Sequence, residues 1–382
     1  MQEKFDSFKL KSKVYCNMGS LDLLEKVPGT RAFIVADAIM GKMGYLQKAI
    51  DALSKAGISS IVFTGVHPDP DVQVIANAMK SYQNSQADVL VAIGGGSAID
   101  AAKAIMYFAC NLDAAEGKQC KKPTFIALPS TSGTGSEVTD FTVITSNGAK
   151  VCLIDDFLAP DIAILDSSCI AGLPQRIITD TGVDVLVHAI EAYVSVNATD
   201  FTDGLAEKAI RLIFDYLPLT YKDSYNSKAR NHVQNASCIA GMAFTNAGLG
   251  IVHSLAHAFG GAFHVPHGRS NALLLNAVME YNANLMGNGN DYAMEKYAQL
   301  GKMLGLPART AREGCVSFMQ AVDKLRKSLG VEDNLRALGI KEDEFMAAVD
   351  RMATNAMGDR CTPTNPRKPT KEDLMNIYKK MY

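Results

Sequence analysis

Four of the seven histidines of this chain lie within one stretch of fifteen residues, and imidazole is the commonest metal-ligating side chain in proteins. They are His253, His257, His264 and His267. His253 and His257 are four residues apart, so on a helix both side chains project from the same face. A single histidine on an apolar helix is usually a core residue. The clustering instead predicts a site for a divalent metal ion.

Asp184 and His188 repeat the four-residue spacing on another predicted helix, which adds a carboxylate to the imidazoles. Carboxylate and imidazole ligands together suit zinc, iron, manganese or cobalt, and no cysteine joins the set. A thiolate zinc site is therefore not predicted. Spacing alone leaves open which histidines bind the metal and whether substrate reaches it.

A second set of residues has the composition of a phosphate-binding turn. Residues 88–93 form a predicted strand that leads into Gly94, Gly95, Gly96 and Ser97, followed by a predicted helix. Glycines let the backbone approach a pyrophosphate closely, and a helix N-terminus offers unpaired N–H groups. The motif is not GxGxxG, and on its own a glycine run is a weak signal.

Residues 129–136 strengthen the interpretation, because they follow another predicted strand and contain hydroxyls and glycines, including Thr131 and Thr134. Loops at the carboxyl ends of parallel strands converge. The alternative is a polar loop in which Ser136 or Thr139 caps a helix. Asp37 follows the first predicted strand, where a carboxylate can bind an adenosine ribose and disfavour a 2′-phosphate. This favours NAD over NADP, with a helix cap as the alternative role.

The elements that must position these residues fall into two halves. Short apolar runs alternate with helical segments in the first half, which predicts βαβ units and a parallel sheet. The predicted strands are residues 31–36, 59–64, 88–93, 124–128 and 161–165, and the predicted helices include 44–56 and 71–82. Long helical stretches follow, at 184–195, 204–216 and 228–243. We predict an α/β dinucleotide-binding domain over residues 1–177 and an all-α metal-binding domain over residues 178–382.

The amino-acid composition limits the classes of binding partner that are expected. Hydrophobic residues make up 48% and charged residues 20% of the chain, and 38 basic residues nearly balance 40 acidic ones. This balance gives no reason to expect nucleic acid or a membrane as partner, so a small molecule is expected. The eight cysteines are scattered singly, which predicts reduced thiols. No signal sequence or membrane-length apolar run is found, so a cytoplasmic location is expected.

Four motifs together resemble the iron-containing, group III alcohol dehydrogenases over essentially the whole chain. They are GGGSAIDAAKA at 94–104, LPSTSGTGSEVT at 128–139, TGVDVLVHAIEAY at 181–193 and GLGIVHSLAHAFGGAFHVPHG at 248–268. The resemblance implies NAD and Fe²⁺ as cofactors, with Zn²⁺ as the alternative metal. It also implies an active site in a cleft between the two domains and a homodimer or larger homo-oligomer.

The resemblance also assigns roles to individual residues. It implies that the metal ligands are Asp184, His188, His253 and His267, and that the catalytic His257 lies beside the nicotinamide. The implied cofactor contacts are Asp37, Asp69, Gly95, Gly96, Ser97, Thr131, Thr134 and Lys150. In the implied reaction the metal acts as a Lewis acid on the substrate oxygen while hydride passes to or from NAD(H).

Residues 198–218 look most like the propanol and ethanol dehydrogenases associated with bacterial microcompartments. This likeness implies a short-chain primary alcohol or aldehyde as substrate and microcompartment proteins as partners. Analogy with the family favours aldehyde reduction as the working direction, because cellular NADH commonly makes it the recycling step. Arg269 departs from the family pattern. Facing the cleft it would favour a carboxylate-bearing substrate, and the alternative is a surface or interface arginine. His67, His232 and His264 receive no role.

Two alternatives from other classes remain at this stage. One is an NAD- and metal-dependent lyase of the dehydroquinate synthase type, which needs several basic residues near the metal for a phosphate. Few such residues lie between Asp184 and His267. The other is a non-catalytic NAD-binding sensor with a structural metal.

Overall fold

The computed structural model describes residues 7–67, 70–146, 149–285, 287 and 291–382. The chain divides into two compact units, one spanning Leu10–Gly172 and the other Leu173–Tyr382 together with the described N-terminal residues up to Lys9. The predicted cofactor residue Asp69 lies outside the described residues.

The first unit is built on a six-stranded sheet in which all neighbouring strands are parallel, in the order β1-β8-β5-β4-β2-β3. A separate antiparallel hairpin pairs β6 with β7. The strands are β1 Lys13–Cys16, β2 Arg31–Asp37, β3 Ser59–Val66, β4 Val89–Gly94, β5 Thr124–Pro129, β6 Phe141–Ser146, β7 Ala149–Ile154 and β8 Ile162–Leu165. The predicted α/β class with a parallel sheet is confirmed. β1 and the hairpin were not predicted: β1 has only four residues, and the hairpin interrupts the alternation of strands and helices on which the prediction was based.

Helices cover both faces of this sheet. Strand β4 is buried along its whole length, as expected for a central parallel strand with helices on either side. The helices of this unit are α1 Ala38–Lys42, α2 Tyr45–Lys55, α3 Val72–Ser85 and α4 Gly96–Ala115. Two apolar clusters, one on each face, form the core. The last residues of β4 and β5, Gly94 and Pro129, are paired, so the two predicted loops begin side by side.

The second unit is helical, which confirms the predicted all-α half. Its helices are α5 Gln175–Val194, α6 Asp200–Lys222, α7 Ser227–Ala247, α8 Ile251–Phe263, α9 His267–Ala283, α10 Tyr292–Met303, α11 Ala311–Ser328, α12 Glu342–Met357 and α13 Lys371–Met381. From Gly182 to Val194 every residue of α5 is buried. Because this part of the helix is buried on all sides, Asp184 and His188 lie in the interior of the unit.

One prediction about the cysteines is wrong. Cys110 and Cys120 form a disulfide, with their Cα atoms 5.1 Å apart. Helix α4 ends at Ala115, and Gly117 takes a positive φ of 73° that reverses the chain and returns Cys120 towards the helix. A ten-residue separation across a helix end cannot be recognised as a pair from the sequence.

Within the described residues, no single helix has the length and apolar composition needed to cross a membrane. The bent pair Ser227–Ala247 and Ile251–Phe263 meets those two criteria only when taken together.

Candidate metal centre and cofactor loops

Four side chains converge inside the helical unit. Asp184 and His188 come from α5, His253 from α8 and His267 from the first position of α9. One potential ligand atom from each lies within 4.8 Å of those of the other three. Asp184, His188 and His253 are buried, whereas a third of the His267 side chain is exposed. The group is therefore enclosed by protein on most sides and open near His267.

Glu191, which the sequence analysis missed, holds His253 in place. Its carboxylate lies 2.5 Å from Nδ1 of His253 and accepts a hydrogen bond from the N–H of Val252 at 2.7 Å, at the start of α8. A Cβ atom on Gly250 would lie 2.9 Å from the Glu191 carboxylate, so only glycine allows this approach. With Nδ1–H directed at Glu191, the Nε2 atom of His253 presents its lone pair to the cluster.

The electrostatics fit a cation among these residues. Burial raises the pKa of Asp184, and burial together with the neighbouring imidazoles lowers the pKa of His253 well below its ordinary value. Burial also raises the pKa of Glu191, to about 7. Ligation needs a charged carboxylate and neutral imidazoles, and a divalent ion offsets the cost of burying the carboxylates.

The side-chain amide of Asn271 gives a second indication that these residues suit a metal ion. Its Nδ2 atom lies 2.7 Å from Oδ1 of Asp184 and 3.1 Å from Nε2 of both His253 and His267. Three acceptor atoms thus converge on one electropositive N–H group. This is the arrangement of donor atoms that a divalent iron or zinc ion requires, so the residues present fit the implied metal.

His257 lies beside this group and has a different partner. Its Nδ1 atom is 2.8 Å from Oδ2 of Asp359, and its ring stacks on that of His267 with centroids 5.2 Å apart. The N–H of Cys361 donates to Asp359 at 2.8 Å. Burial opposes ionisation of Asp359, but the hydrogen bond and charge of His257 hold the pKa of Asp359 well below its ordinary value. The structure thus separates His257 from the other histidines, which spacing left open.

Asp37 lies at the carboxyl end of β2, beside the glycine turn. Its Oδ1 caps α1 by accepting hydrogen bonds from the N–H groups of Ile39 and Met40, at 3.0 and 2.9 Å. Its Oδ2 accepts a hydrogen bond from the N–H of Gly95 at 3.3 Å. The capping alternative is thus observed, and the contact with ribose stays a prediction.

The two predicted loops of the α/β unit come together. A Cβ atom on Gly96 would lie 2.7 Å from Cγ2 of Thr134, and one on Gly95 would lie 3.5 Å from Thr131. Gly95 is the N-cap of α4, and Ser97 lies in the first turn of that helix. The N-terminus of this helix lies against a loop that carries hydroxyls, which suits a phosphate.

Lys150 lies on β7 opposite Thr145. Its charge reaches α4, where burial raises the pKa of Asp100 while the charges of Lys103 and Lys150 oppose that rise. Lys150 therefore lies on the β6–β7 hairpin, close enough to α4 for its charge to act on Asp100. Its contact with a cofactor phosphate stays a prediction.

Lys103 on α4 is fully buried, and its hydrogen bonds hold the end of the loop that carries the hydroxyl groups. Its Nζ donates to the carbonyl and hydroxyl oxygens of Thr139 at 3.0 and 2.9 Å, to Ser136 at 3.2 Å and to the carbonyl of Phe141 at 2.8 Å. Sequence reasoning missed this role. The available signal was a lone lysine among the alanines of an apolar helix, a position that requires partners.

Arg269 is buried, so it is not the surface or interface residue considered from the sequence. Its Nε donates to Asp180 at 2.6 Å, and its guanidinium also bonds Glu332 at 2.6 Å and the carbonyl of Gly330. Asp180 lies on α5, one turn before Asp184, and Arg269 lies in the first turn of α9. Their ion pair therefore holds the start of α9 against α5. His264 has a φ of 55° and ends α8 as its C-cap.

Comparison with known proteins identifies the family. Two family models match, "Iron-containing alcohol dehydrogenase" over residues 12–167 and "Fe-containing alcohol dehydrogenase family, C-terminal" over residues 178–382. The aldehyde-alcohol dehydrogenase of Streptococcus pneumoniae is 39% identical over 98% of this chain and 46% of its own length. This chain therefore spans about half the length of that relative.

Other relatives match from end to end. The 1-propanol dehydrogenase PduQ of Salmonella typhimurium is 37% identical over 98% of this chain and all of its own length. The iron-containing alcohol dehydrogenase structure from Thermococcus thioreducens has a TM-score of 0.89 at 34% identity, covering 98% of this chain and 99% of that one. These matches do not favour the lyase alternative. The chain belongs to the iron-containing alcohol dehydrogenase family.

Proposed function

We propose that this chain is a metal- and NAD-dependent alcohol dehydrogenase that reduces short-chain aldehydes to primary alcohols. One observation carries the proposal, namely that three imidazoles and a carboxylate converge next to a hydrogen-bonded histidine–aspartate pair. Residues 1–177 serve as the dinucleotide-binding domain and residues 178–382 as the metal-binding domain. The family match supports iron as the metal, and the carboxylate of Asp37 beside the glycine turn supports NAD as the redox partner.

Asp184, His188, His253 and His267 hold the metal in this proposal. When bound, Fe²⁺, or Zn²⁺ as the alternative, supplies Lewis-acid polarisation of the substrate oxygen, and the nicotinamide supplies the hydride. Three of the four ligands are buried, which keeps water away from one side of the centre. The exposed part of His267 marks the side from which substrate approaches.

His257 transfers the proton in the proposed reaction. Asp359 binds its Nδ1 atom, so Nε2 is the position at which a proton is held for the alcohol oxygen. Asp359 is a positioning residue here, because it touches His257 rather than the substrate. Its own contacts with Cys361 fix the orientation of the ring.

The cofactor is bound by the other unit. Gly95, Gly96 and Ser97 present the N-terminus of α4 to the pyrophosphate. The other proposed contacts are Asp37, Asp69, Thr131, Thr134 and Lys150. In this proposal the carboxylate of Asp37, which lies beside Gly95, would bind the adenosine ribose and would repel the 2′-phosphate of NADP. NAD is therefore the proposed cofactor.

The substrate is proposed to be propanal or acetaldehyde, since the full-length Salmonella relative is a 1-propanol dehydrogenase. The likeness of residues 198–218 supports association with a microcompartment. A cytoplasmic location and a homo-oligomer are also proposed, the oligomer on the resemblance to the family as a whole.

Anaerobic oxidation of NADH by propanal tests the proposal. The full chain is stripped with a chelator and then assayed before and after addition of Fe²⁺, Zn²⁺ or Mn²⁺. We expect turnover only after metal is restored, and a preference for NADH over NADPH. Binding of both NADH and metal without turnover of any short aldehyde would contradict the proposal and would favour a sensor.

A further inference from the structure

Asn271 is a residue of the metal centre that neither the motif comparison nor the histidine spacing indicated. It lies on α9 one helical turn after His267 and is fully buried. Its side-chain nitrogen contacts Asp184, His253 and His267 at 2.7, 3.1 and 3.1 Å. The amide thus touches three of the four proposed ligands at once.

The contacts are those of a hydrogen-bond donor facing acceptors. The Nδ1 atom of His253 is directed at Glu191, which leaves its Nε2 as an acceptor towards Asn271. Oδ1 of Asp184 lies 4.0 Å from Nε2 of His253 and 3.7 Å from Nε2 of His267. At such distances the three lone pairs repel one another unless a donor lies between them. The amide N–H₂ is that donor.

The orientation of the amide follows from these contacts. Its Oδ1 atom is buried and has no hydrogen-bond partner within the described part of the chain. A buried carbonyl without a partner is unfavourable, so what orients the side chain is the cluster that its nitrogen touches. An amide nitrogen has no lone pair for a metal, so in this orientation Asn271 directs the ligands without being one.

We propose that Asn271 is a positioning residue of the metal centre. Its hydrogen bond holds the Asp184 carboxylate in its ligating orientation. Its contacts with the two Nε2 atoms hold the imidazoles together only while the site is metal-free, because a bound metal takes those lone pairs and displaces the amide from them. The inference rests on the proposed function only in taking Asp184, His188, His253 and His267 as ligands. Removing hydrogen bonds to metal ligands commonly weakens metal binding by about 10- to 100-fold, and we expect a loss of that size.

The test uses the full chain, stripped of metal, and measures its affinity for Co²⁺ and Zn²⁺ by competition with a chelator. Asn271→Leu keeps the size of the side chain and removes the donor. Asn276→Leu is the matched control, because Asn276 lies on the same helix and, among the described residues, its amide donates only to the carbonyl of Met319, at 3.3 Å. We expect the dissociation constant to rise about 10- to 100-fold for Asn271→Leu and to stay unchanged for the control.

Asn271→Asp and Asn271→Ser keep the inference testable if the leucine variant does not fold. Aspartate cannot donate and repels Asp184, so we expect weaker binding, whereas serine keeps a donor and should bind with intermediate affinity. The Co²⁺ absorption spectrum of the serine variant should match that of the parent protein. Tighter binding by Asn271→Asp with an altered spectrum would overturn the inference, since it would show that this side chain ligates the metal.

Unchanged affinity in Asn271→Leu would also overturn it. These outcomes are independent of turnover. If the parent protein binds one metal ion through Asp184 but reduces no aldehyde, the proposed function fails while the role of Asn271 is still decided by the affinities.

Discussion

The two units form their sites from different groups, the helical unit from side chains and the α/β unit from the backbone. The helical unit uses side chains, with a carboxylate and three imidazoles directed into a buried space. The α/β unit uses the backbone, with the Gly95–Gly96 turn at the start of α4 packed against Thr131 and Thr134. A metal ion is bound by particular donor atoms, whereas a pyrophosphate is bound by backbone N–H groups, which every residue except proline carries.

The two sites should therefore fail in different ways. In the helical unit, replacing one side chain removes a ligand or its support, and metal should be lost while NADH still binds. In the α/β unit, a Cβ atom added at Gly96 would collide with Thr134 and displace the loop, so NADH binding should weaken while metal is retained.

The largest effect is expected for Asp184→Asn. The amide keeps the shape of the side chain but removes its charge, so the bound metal and several kcal/mol of transition-state stabilisation are lost. We expect propanal reduction to fall about 10³-fold or more, as several kcal/mol implies. Metal content by mass spectrometry and NADH binding by fluorescence provide the measurement. A variant that lost NADH binding as well would show that the two sites do not fail separately.

His257→Gln should lower turnover about 100-fold while metal content stays at that of the parent, because proton transfer is lost but no ligand is. Asp359→Asn should give a smaller loss, about tenfold, since the histidine remains but its orientation is less well fixed. Joint loss of metal in His257→Gln would contradict the role assigned to His257. The same assay and metal analysis decide it.

Glu191→Gln should weaken metal binding about 10-fold or more, because the group that orients His253 loses its charge. Glutamine retains an oxygen that can accept the N–H of Val252, so α8 should still begin at the same residue. Titration of the metal-free protein with Zn²⁺ measures the change. Unchanged affinity together with unchanged helical content would mean that His253 does not depend on Glu191.

Gly96→Ala should raise the dissociation constant for NADH about tenfold, a loss of roughly 1.4 kcal/mol, with metal content unchanged. The added Cβ would lie 2.7 Å from Cγ2 of Thr134, so the loop must move. Thr134→Ser removes that methyl group, and the double variant should recover part of the affinity. Gly204→Ala is the control, because nothing lies within 4 Å of its Cβ position. A double variant no better than Gly96→Ala would contradict the steric explanation.

The smallest effect concerns stability and pH. Burial lowers the pKa of Lys103 to about 8, while the unfolded chain keeps the ordinary value of 10.5. Between these values the unfolded state binds the proton and the folded state releases it, so the free energy of unfolding should rise with pH. The contribution of this group is about 1 kcal/mol from pH 8 to pH 9. Denaturant unfolding measures it, and Lys103→Met should lack this part of the slope.

The sequence alone was sufficient for the class of fold and the position of its main elements. Five of the strands and the long helices α5, α6 and α7 follow from apolar periodicity, because burial on one or both faces dictates that pattern. Residue identity and spacing also predicted a metal site at the clustered histidines and a phosphate site at the glycine turn. The short strand β1, the β6–β7 hairpin and the Cys110–Cys120 pair left no such pattern, and only the folded chain shows them.

Which residues share a site was decided by tertiary structure. Four histidines on a stretch of sequence are equivalent by spacing, and Asp359, more than a hundred residues later, is what separates His257 from His253 and His267. Glu191 and Asn271 are likewise ordinary helix residues in the sequence, and they become part of the metal centre because α5, α8 and α9 pack there. Local sequence governs local conformation and burial through short-range propensity and hydrophobic pattern. Partnerships between side chains distant in sequence depend on distances of a few ångströms, which only the packed helices determine.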